Sequence, residues 1–238
     1  IALTIVQYFS YDIFFIAMSL LLLIGALTAL SIPPEKQPAV PPVRAKMTLN
    51  DLFEKKSLPI ALIGSLVAFS YASIRSYLSI YSQQKDLLYL TSSFFAVFAI
   101  VMLVSRPFTG RIFDEKGPRY IIIPGLVFFM FGLILLAYMD SPFTFLLSGA
   151  FIGLGYGAIV PSFQTLAIQS TTHERSGYAT ATFFTLFDTG IAIGSFILGI
   201  VASKLGYQGL YLLSSGIVAL TLIVFLMQMK RLRANLNR

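Results

Sequence analysis

RPFTGRIFDEKGPRY, residues 106–120, is a stretch dense in charge between two apolar runs, one ending at Ser105 and the next opening at Ile121. Arg106, Arg111, Lys116 and Arg119 place four cations in it. Two apolar runs of about 20 residues joined by a short basic connection are what two membrane-spanning helices and a cytoplasmic loop require. The stretch therefore reads as a loop, and it decides the fold class: an all-α membrane protein.

Composition agrees with that reading. Mean hydropathy is +0.83. Only 11% of residues are charged and 57% are hydrophobic, whereas a soluble domain carries about a quarter charged residues. A water-soluble core cannot hide that much apolar surface, so the bilayer takes it. The formal net charge is +7, but the basic residues fall between apolar spans and not on one exposed face, which excludes nucleic acid as a partner. The absence of cysteine excludes a disulfide framework and cysteine-based metal sites. The single histidine, His173, follows two threonines in a loop, a poor setting for a metal ligand. No nucleophile–base set and no paired catalytic carboxylates are evident, so neither an enzyme nor a cofactor is expected.

The length rule for spanning helices gives spans near 12–32, 58–81, 88–105, 120–139, 142–170, 176–205 and 207–229. The runs are too long for barrel strands and lack their two-residue alternation. The opening IALTIVQYF reads as the last turns of a further helix. Four segments follow: 1–34, the end of a first helical bundle (the tail of one helix and one whole helix); 35–57, a basic linker; 58–229, a bundle of six helices; and 230–238, a tail. Pro33, Pro34, Pro38, Pro41 and Pro42 keep the first half of the linker region out of regular helix. Residues 48–56 are expected to form a short interfacial helix capped by Thr48 or Asn50.

Fourteen of the 17 basic residues lie in the linker, the 106–119 hinge, the 170–176 connection and the tail, against Lys85 and Lys204 on the alternate connections and Arg75 inside a span. That asymmetry predicts a cytoplasmic linker, hinge and tail. Sliding the chain by about 196 residues lays IVQYFSYDIFFIAMSLLLLIGAL over VASKLGYQGLYLLSSGIVALTLI, with matched turns and a shared tyrosine, Tyr11 and Tyr207. The opening residues thus read as the last helix and a half of one repeat and 58–229 as a complete second repeat. Repeats joined by a basic linker are how many secondary transporters are built.

Four local patterns give the chain its resemblance to the major facilitator superfamily. Gly110-Arg111-Ile-Phe-Asp114-Glu-Lys-Gly117-Pro-Arg119 resembles the second, weaker copy of that family's loop motif, with Glu115 and Pro118 where arginine is usual. Gly153, Gly155, Gly157 and the following Pro161 resemble its helix ten. Residues 171–177 resemble its ten–eleven loop, and Asp188 with Gly190 and Gly194 resembles helix eleven of efflux-type members. The resemblance covers the whole sequence, as the end of an N-terminal bundle plus helices seven to twelve. It implies a plasma-membrane secondary transporter that exports a small organic compound by alternating access, coupled to protons. It also implies that Asp114, steadied by Arg111 and Arg119, caps a helix of the opposite bundle when the inner gate closes. By pseudo-symmetry that helix is the one ending at residues 1–8.

Asp188 lies twelve residues into a span, about 18 Å deep at 1.5 Å per residue. An intramembrane carboxylate is costly and should face a cavity or a partner. It reads as a proton-coupling or substrate-cation site, or as a structural acid bonded to Thr185 or Thr189. Arg75, about 25 Å deep, reads either as a cavity residue beside Tyr71, binding an anionic group or pairing with Asp188, or as a snorkelling side chain. Tyr156, Phe163 and Gln164 on one helix, and Thr180, Phe184 and Asp188 on another, recur at helical spacing and fit a mixed aromatic and polar cavity for amphipathic molecules. Gly153, Gly155, Gly157, Gly190 and Gly194 lack a strand and a Lys-Ser/Thr, so they bring helices together and do not cradle phosphate, while Pro161 bends its helix. Glu174 is expected to pair with Arg111 or Arg106. The expected partners are a small-molecule substrate, protons, the lipid bilayer and the rest of the first bundle. An importer or facilitator, a lipid flippase, and a non-transporting receptor or scaffold are the competing functions.

Overall fold

The computed structural model describes residues 11–31 and 53–236. The opening turns at 1–10, the proline-rich stretch with Thr48 and Asn50, and 237–238 lie outside the described residues, together with the expectations placed on them. The chain divides into two compact units, Ile1–Met47 and Thr48–Arg238.

Among the described residues of the first unit, helix α1 (Tyr11–Leu30) is apolar on every side, from Ile13 and Phe15 to Leu27 and Leu30. Twenty residues at 1.5 Å rise make about 30 Å, the thickness of a hydrocarbon core. Near the end of α1, Thr28 Oγ1 donates to the Gly25 carbonyl at 2.8 Å and Ser31 Oγ to that of Leu27 at 3.0 Å. Asp12 in the first turn complements the helix dipole.

The second unit holds α2 (Leu58–Gln84), α3 (Thr91–Lys116), α4 (Arg119–Ala137), α5 (Pro142–Gln169) and a helical run Ser176–Leu236. That run is broken at Gly206 (φ 70°, ψ 175°) into α6 (176–205) and α7 (207–236). Among the described residues there is no strand. Five apolar stretches reach membrane-crossing length, and the last, His173–Met229, is long enough for two passes about Gly206. Only glycine adopts the Gly206 conformation without strain, so Gly206→Ala is expected to cost about 1–3 kcal/mol. Thermal unfolding of the detergent-solubilised protein measures that loss.

Residues 106–116 are not a loop. Helix α3 continues through them to Lys116, with the Gly117 N–H closing on the Phe113 carbonyl at 3.0 Å, and the chain turns only at Gly117 (φ 94°) and Pro118. Helical spacing persists in Phe108, Ile112 and Phe113 beneath the charges, and Arg111 pairs with Glu115 at 2.6 Å across one turn. At 26 residues α3 is about 39 Å long. It outruns the hydrocarbon core by more than a turn, so its charged end stands in the interface. Charge density marked the membrane boundary, not the end of the helix. Residues 53–57, expected at the end of an interfacial helix, form a turn in which the Ser57 N–H meets the Glu54 carbonyl at 3.1 Å.

Glycines set the packing. On α5, a Cβ at Gly153 would lie 2.5 Å from the Phe98 carbonyl oxygen of α3, and one at Gly157 would strike Met102 of the same helix. Gly155, between them, would put a Cβ 2.5 Å from the Gly125 carbonyl oxygen of α4. The three glycines therefore let two neighbours close on α5 at once. On α6, Gly190 meets the Ser65 carbonyl and Gly194 that of Phe69, which seats α6 on α2. Helix α7 is fastened to α2 by Tyr211 OH, which donates to the Ser73 carbonyl at 3.3 Å, and packs Phe225 edge-on against Phe163 of α5. Pro161 lies inside α5, which runs unbroken past it.

Each end of the bundle carries an ion pair. At one end Lys85 Nζ reaches Asp140 Oδ1 at 2.8 Å, joining the α2–α3 and α4–α5 connections. At the other, Arg175 Nε contacts Glu54 Oε2 at 2.5 Å, joining the start of α2 to the α5–α6 connection. The helices thus alternate in direction, and 53–57, Gly117–Pro118 and 170–175 share one end.

Candidate functional site

The expected cavity residues from three helices converge midway along the bundle. Tyr71 of α2 stacks on Tyr156 of α5, ring centroids 4.0 Å apart and 17° from parallel, and Phe98 of α3 flanks both at 6.3 and 6.2 Å. The two tyrosine rings lie nearly parallel and in close contact. Arg75 lies one turn beyond Tyr71 and is exposed. Asp188 and Phe184 are exposed on one face of α6, and Gln164 is half-buried on α5. Arg75 and Asp188 both lie close enough to act on the Tyr156 hydroxyl through space. The four groups form one patch: two stacked tyrosines, with a cation and a carboxylate at their edges.

Among the described residues no ion pair joins Arg75 to Asp188. Thr189 spends its hydroxyl on the Thr185 carbonyl at 2.7 Å, and Thr180 likewise bonds the Ser176 carbonyl at 3.0 Å. Phe163 does not belong to this patch. It lies two turns along α5 from Tyr156 and is buried between α5 and α7 against Phe225.

Of the expected gate residues, Gly110 and Asp114 line a small groove at the basic end, and Arg111, Gly117, Arg119 and Glu174 do not. Arg106, Gly110 and Asp114 of α3 face Pro161, Ser162 and Thr165 of α5 around about 220 Å³. Asp114 is exposed and makes no ion pair among the described residues. Arg119 sits by the Tyr120 ring, its guanidinium carbon 5.9 Å from the centroid. Glu174 is not the partner of Arg111, which is held by Glu115. Its neighbour Arg175 makes the long-range pair instead.

That pair had no signal in the sequence, since Glu54 and Arg175 are 121 residues apart. The Glu54 side chain is only 7% exposed. Its Oε1 accepts the Lys56 N–H at 3.3 Å, its own N–H donates to Thr182 Oγ1 at 2.9 Å, and its carbonyl accepts Ser57 Oγ at 2.9 Å. The Arg175 guanidinium, which also lies over the Tyr178 ring at 5.0 Å, holds the Glu54 carboxyl below its ordinary value by hydrogen bonding, against the opposing effect of burial. A second group legible only in three dimensions lies at the far end of α2. Tyr77 OH donates to the Ser195 carbonyl, Ser76 and Ser195 hydroxyls meet at 3.0 Å, and Tyr81 OH donates to the Ala137 carbonyl at 2.9 Å.

Comparison with known proteins agrees with this geometry. The chain is 23% identical over 214 residues to the multidrug resistance protein MdtG of Escherichia coli O17:K52:H18, covering 87% of the chain and 52% of that protein. It is 24% identical over 182 residues to the protein of the same name from Klebsiella pneumoniae strain 342, covering 74% of the chain and 44% of that protein. The chain thus spans about half the length of the curated relatives it matches. The family model described as Major Facilitator Superfamily matches residues 1–190 and, in a second alignment, 91–237. With a match over nearly its whole length and a bundle of long apolar helices, the chain belongs to the Major Facilitator Superfamily of membrane transporters.

Proposed function

We propose that this chain supplies one helical bundle of a cytoplasmic-membrane exporter of small organic compounds, driven by proton exchange and working by alternating access. The observation that carries the reading is the patch of Tyr71, Tyr156, Arg75 and Asp188. An exposed carboxylate about 18 Å along an apolar helix is retained at a cost that only a partner or a function offsets. The stacked tyrosines beside it offer flat apolar faces with polar rims, suited to amphipathic guests. The names of the matched relatives, multidrug resistance proteins, support efflux and a broad substrate class. Residues 53–57, the Gly117–Pro118 turn and the tail are assigned to the cytoplasm on the distribution of basic residues. Asp114 and the groove beside Pro161 form the receiving side of the inner gate. A carboxylate at a helix N-terminus contributes up to about 2 kcal/mol in partly buried geometry, enough to bias two nearly balanced states.

Asp188→Asn in the whole transporter tests the coupling role. Efflux driven by a pH gradient is expected to fall by about tenfold or more, while substrate exchange without a gradient persists. Gradient-driven efflux at the parent rate would remove Asp188 from coupling. An importer on the same fold would be told apart by cells lacking the protein, which would fail to take up substrate instead of accumulating it. The flippase reading gains little. A groove of about 520 Å³ between α3 and α4 is apolar, and its Ser105 and Thr109 hydroxyls are bonded to their own helix at 3.0 and 3.1 Å.

A further inference from the structure

We infer that the groove between α2 and α7, at the basic end of the bundle, is a binding site for an anionic phospholipid. It is separate from the tyrosine patch. Pro59, Leu62 and Leu66 of α2 face Val224, Met227 and Gln228 of α7 around about 350 Å³. The apolar side chains span two turns of α2 and one turn of α7, the depth a phospholipid's upper acyl segment occupies below its ester groups. Gln228 is the one amide in this lining, and its Oε1 is shielded from water without a hydrogen-bond partner. An amide oxygen left unpaired in such a place is destabilising until a donor reaches it. Phosphate and ester oxygens at the mouth of the groove would engage the amide nitrogen, and head-group hydroxyls would supply donors to its oxygen once the side chain turns outward.

The mouth of the groove is cationic. Lys55 and Lys56 immediately precede the start of α2, are exposed, and form no ion pair with an acid among the described residues. The nearest acid in sequence, Glu54, is buried and committed to Arg175. In the sequence Gln228 is followed closely by Lys230, Arg231 and Arg233. Basic residues clustered at the rim of an intramembrane groove are the recognition chemistry of an anionic head group. The α3–α4 groove is larger, but its lining contains no unpaired amide. The occupant is therefore a lipid whose phosphate meets the lysines and whose chain lies along Leu62 and Leu66.

The test is native mass spectrometry of the purified transporter, delipidated and then exposed to phosphatidylglycerol or phosphatidylcholine. The parent is expected to retain phosphatidylglycerol in preference to phosphatidylcholine. Combined Lys55→Gln and Lys56→Gln should lower that retention by about thirtyfold, and Leu62→Trp, which fills the groove from an exposed position, should lower it strongly as well. Gln228→Leu should lower it less, and Phe108→Trp in the α3–α4 groove should leave it unchanged. Equal retention of both lipids, no retention by the parent, or an equal loss on Phe108→Trp and Leu62→Trp would each overturn the assignment. Lys116→Gln separates a local site from bulk charge: a loss matching that of Lys56→Gln alone also overturns it.

Discussion

Gly155→Ala is expected to drive α4 and α5 apart and to destabilise the bundle by about 3 kcal/mol or more, at or beyond the upper end of what overpacking costs. The added Cβ would stand 2.5 Å from the Gly125 carbonyl oxygen, 2.5 Å from the Phe129 nitrogen and 2.9 Å from the Phe129 Cα. All three are backbone atoms, so no side-chain rotation relieves the clash. Whole helices must move, and α5 is held on its other side by Gly153 and Gly157 against α3. Gly216→Ala on α7 is the matched control. Nothing lies within 4 Å of its Cβ position, and replacing an unobstructed helical glycine gains up to about 1 kcal/mol. Thermal inactivation of the two variants in one detergent should move in opposite directions. A Gly155→Ala protein as stable as its parent would show that α4 and α5 do not approach this closely.

Glu54→Ala is expected to release the start of α2 from the α5–α6 connection. Removing one partner of a buried ion pair costs about 3–5 kcal/mol when the survivor stays buried. Arg175 is 40% exposed and rehydrates in part, which brings the expectation to about 1–2 kcal/mol. Glu54→Gln keeps the shape and the backbone bonds to Thr182 and Ser57 and should cost less. A double-mutant cycle with Arg175→Gln isolates the pair itself, and a coupling near zero would mean that the backbone bonds alone hold the turn. Trypsin reads the same event independently, because Lys55 and Lys56 are exposed beside the anchor and should be cut faster in Glu54→Ala.

The pair also makes stability depend on pH in a defined direction. The folded-state pKa of Glu54 is depressed below the usual 4.5, so its contribution is fully present above that value and is lost as pH falls through the lower, folded-state one. Acid titration of the parent should therefore show a loss of stability below pH 4.5 that is smaller in Glu54→Gln. At the opposite end, Lys85 and Asp140 pair in the open, and an exposed pair is worth about 0–1 kcal/mol. Lys85→Gln should change stability little.

Much of the fold was legible in the amino-acid order, because a bilayer imposes a length and a polarity on every spanning segment. Apolar runs such as 142–169 and 58–84 declare themselves by composition alone. The GLGYG of α5 and the Gly190–Gly194 step announce close helix contacts, since small residues in apolar helices have few other uses. Local order failed at the 106–120 stretch. Its charges mark where α3 leaves the hydrocarbon, but helix continuation depends on hydrogen bonds and spacing that pass through charged residues unaffected, so only Gly117 and Pro118 break the chain. Which glycine meets which neighbour was also invisible, since the sequence does not say that Gly155 faces α4 while Gly153 and Gly157 face α3.

The amino-acid sequence by itself determined that this chain lies in a membrane, where its helices cross, which ends carry the positive charge and which family it resembles. Each of these is a property of single segments or of their order. The tertiary structure alone decided that Tyr71 stacks on Tyr156 within electrostatic reach of Arg75 and Asp188, that Phe163 is core, that Glu54 is a buried anchor and that Gln228 opens on a groove. Those pairings join residues on different helices, brought together by helix packing, and helix packing is a sum of weak contacts over whole surfaces that no local pattern encodes.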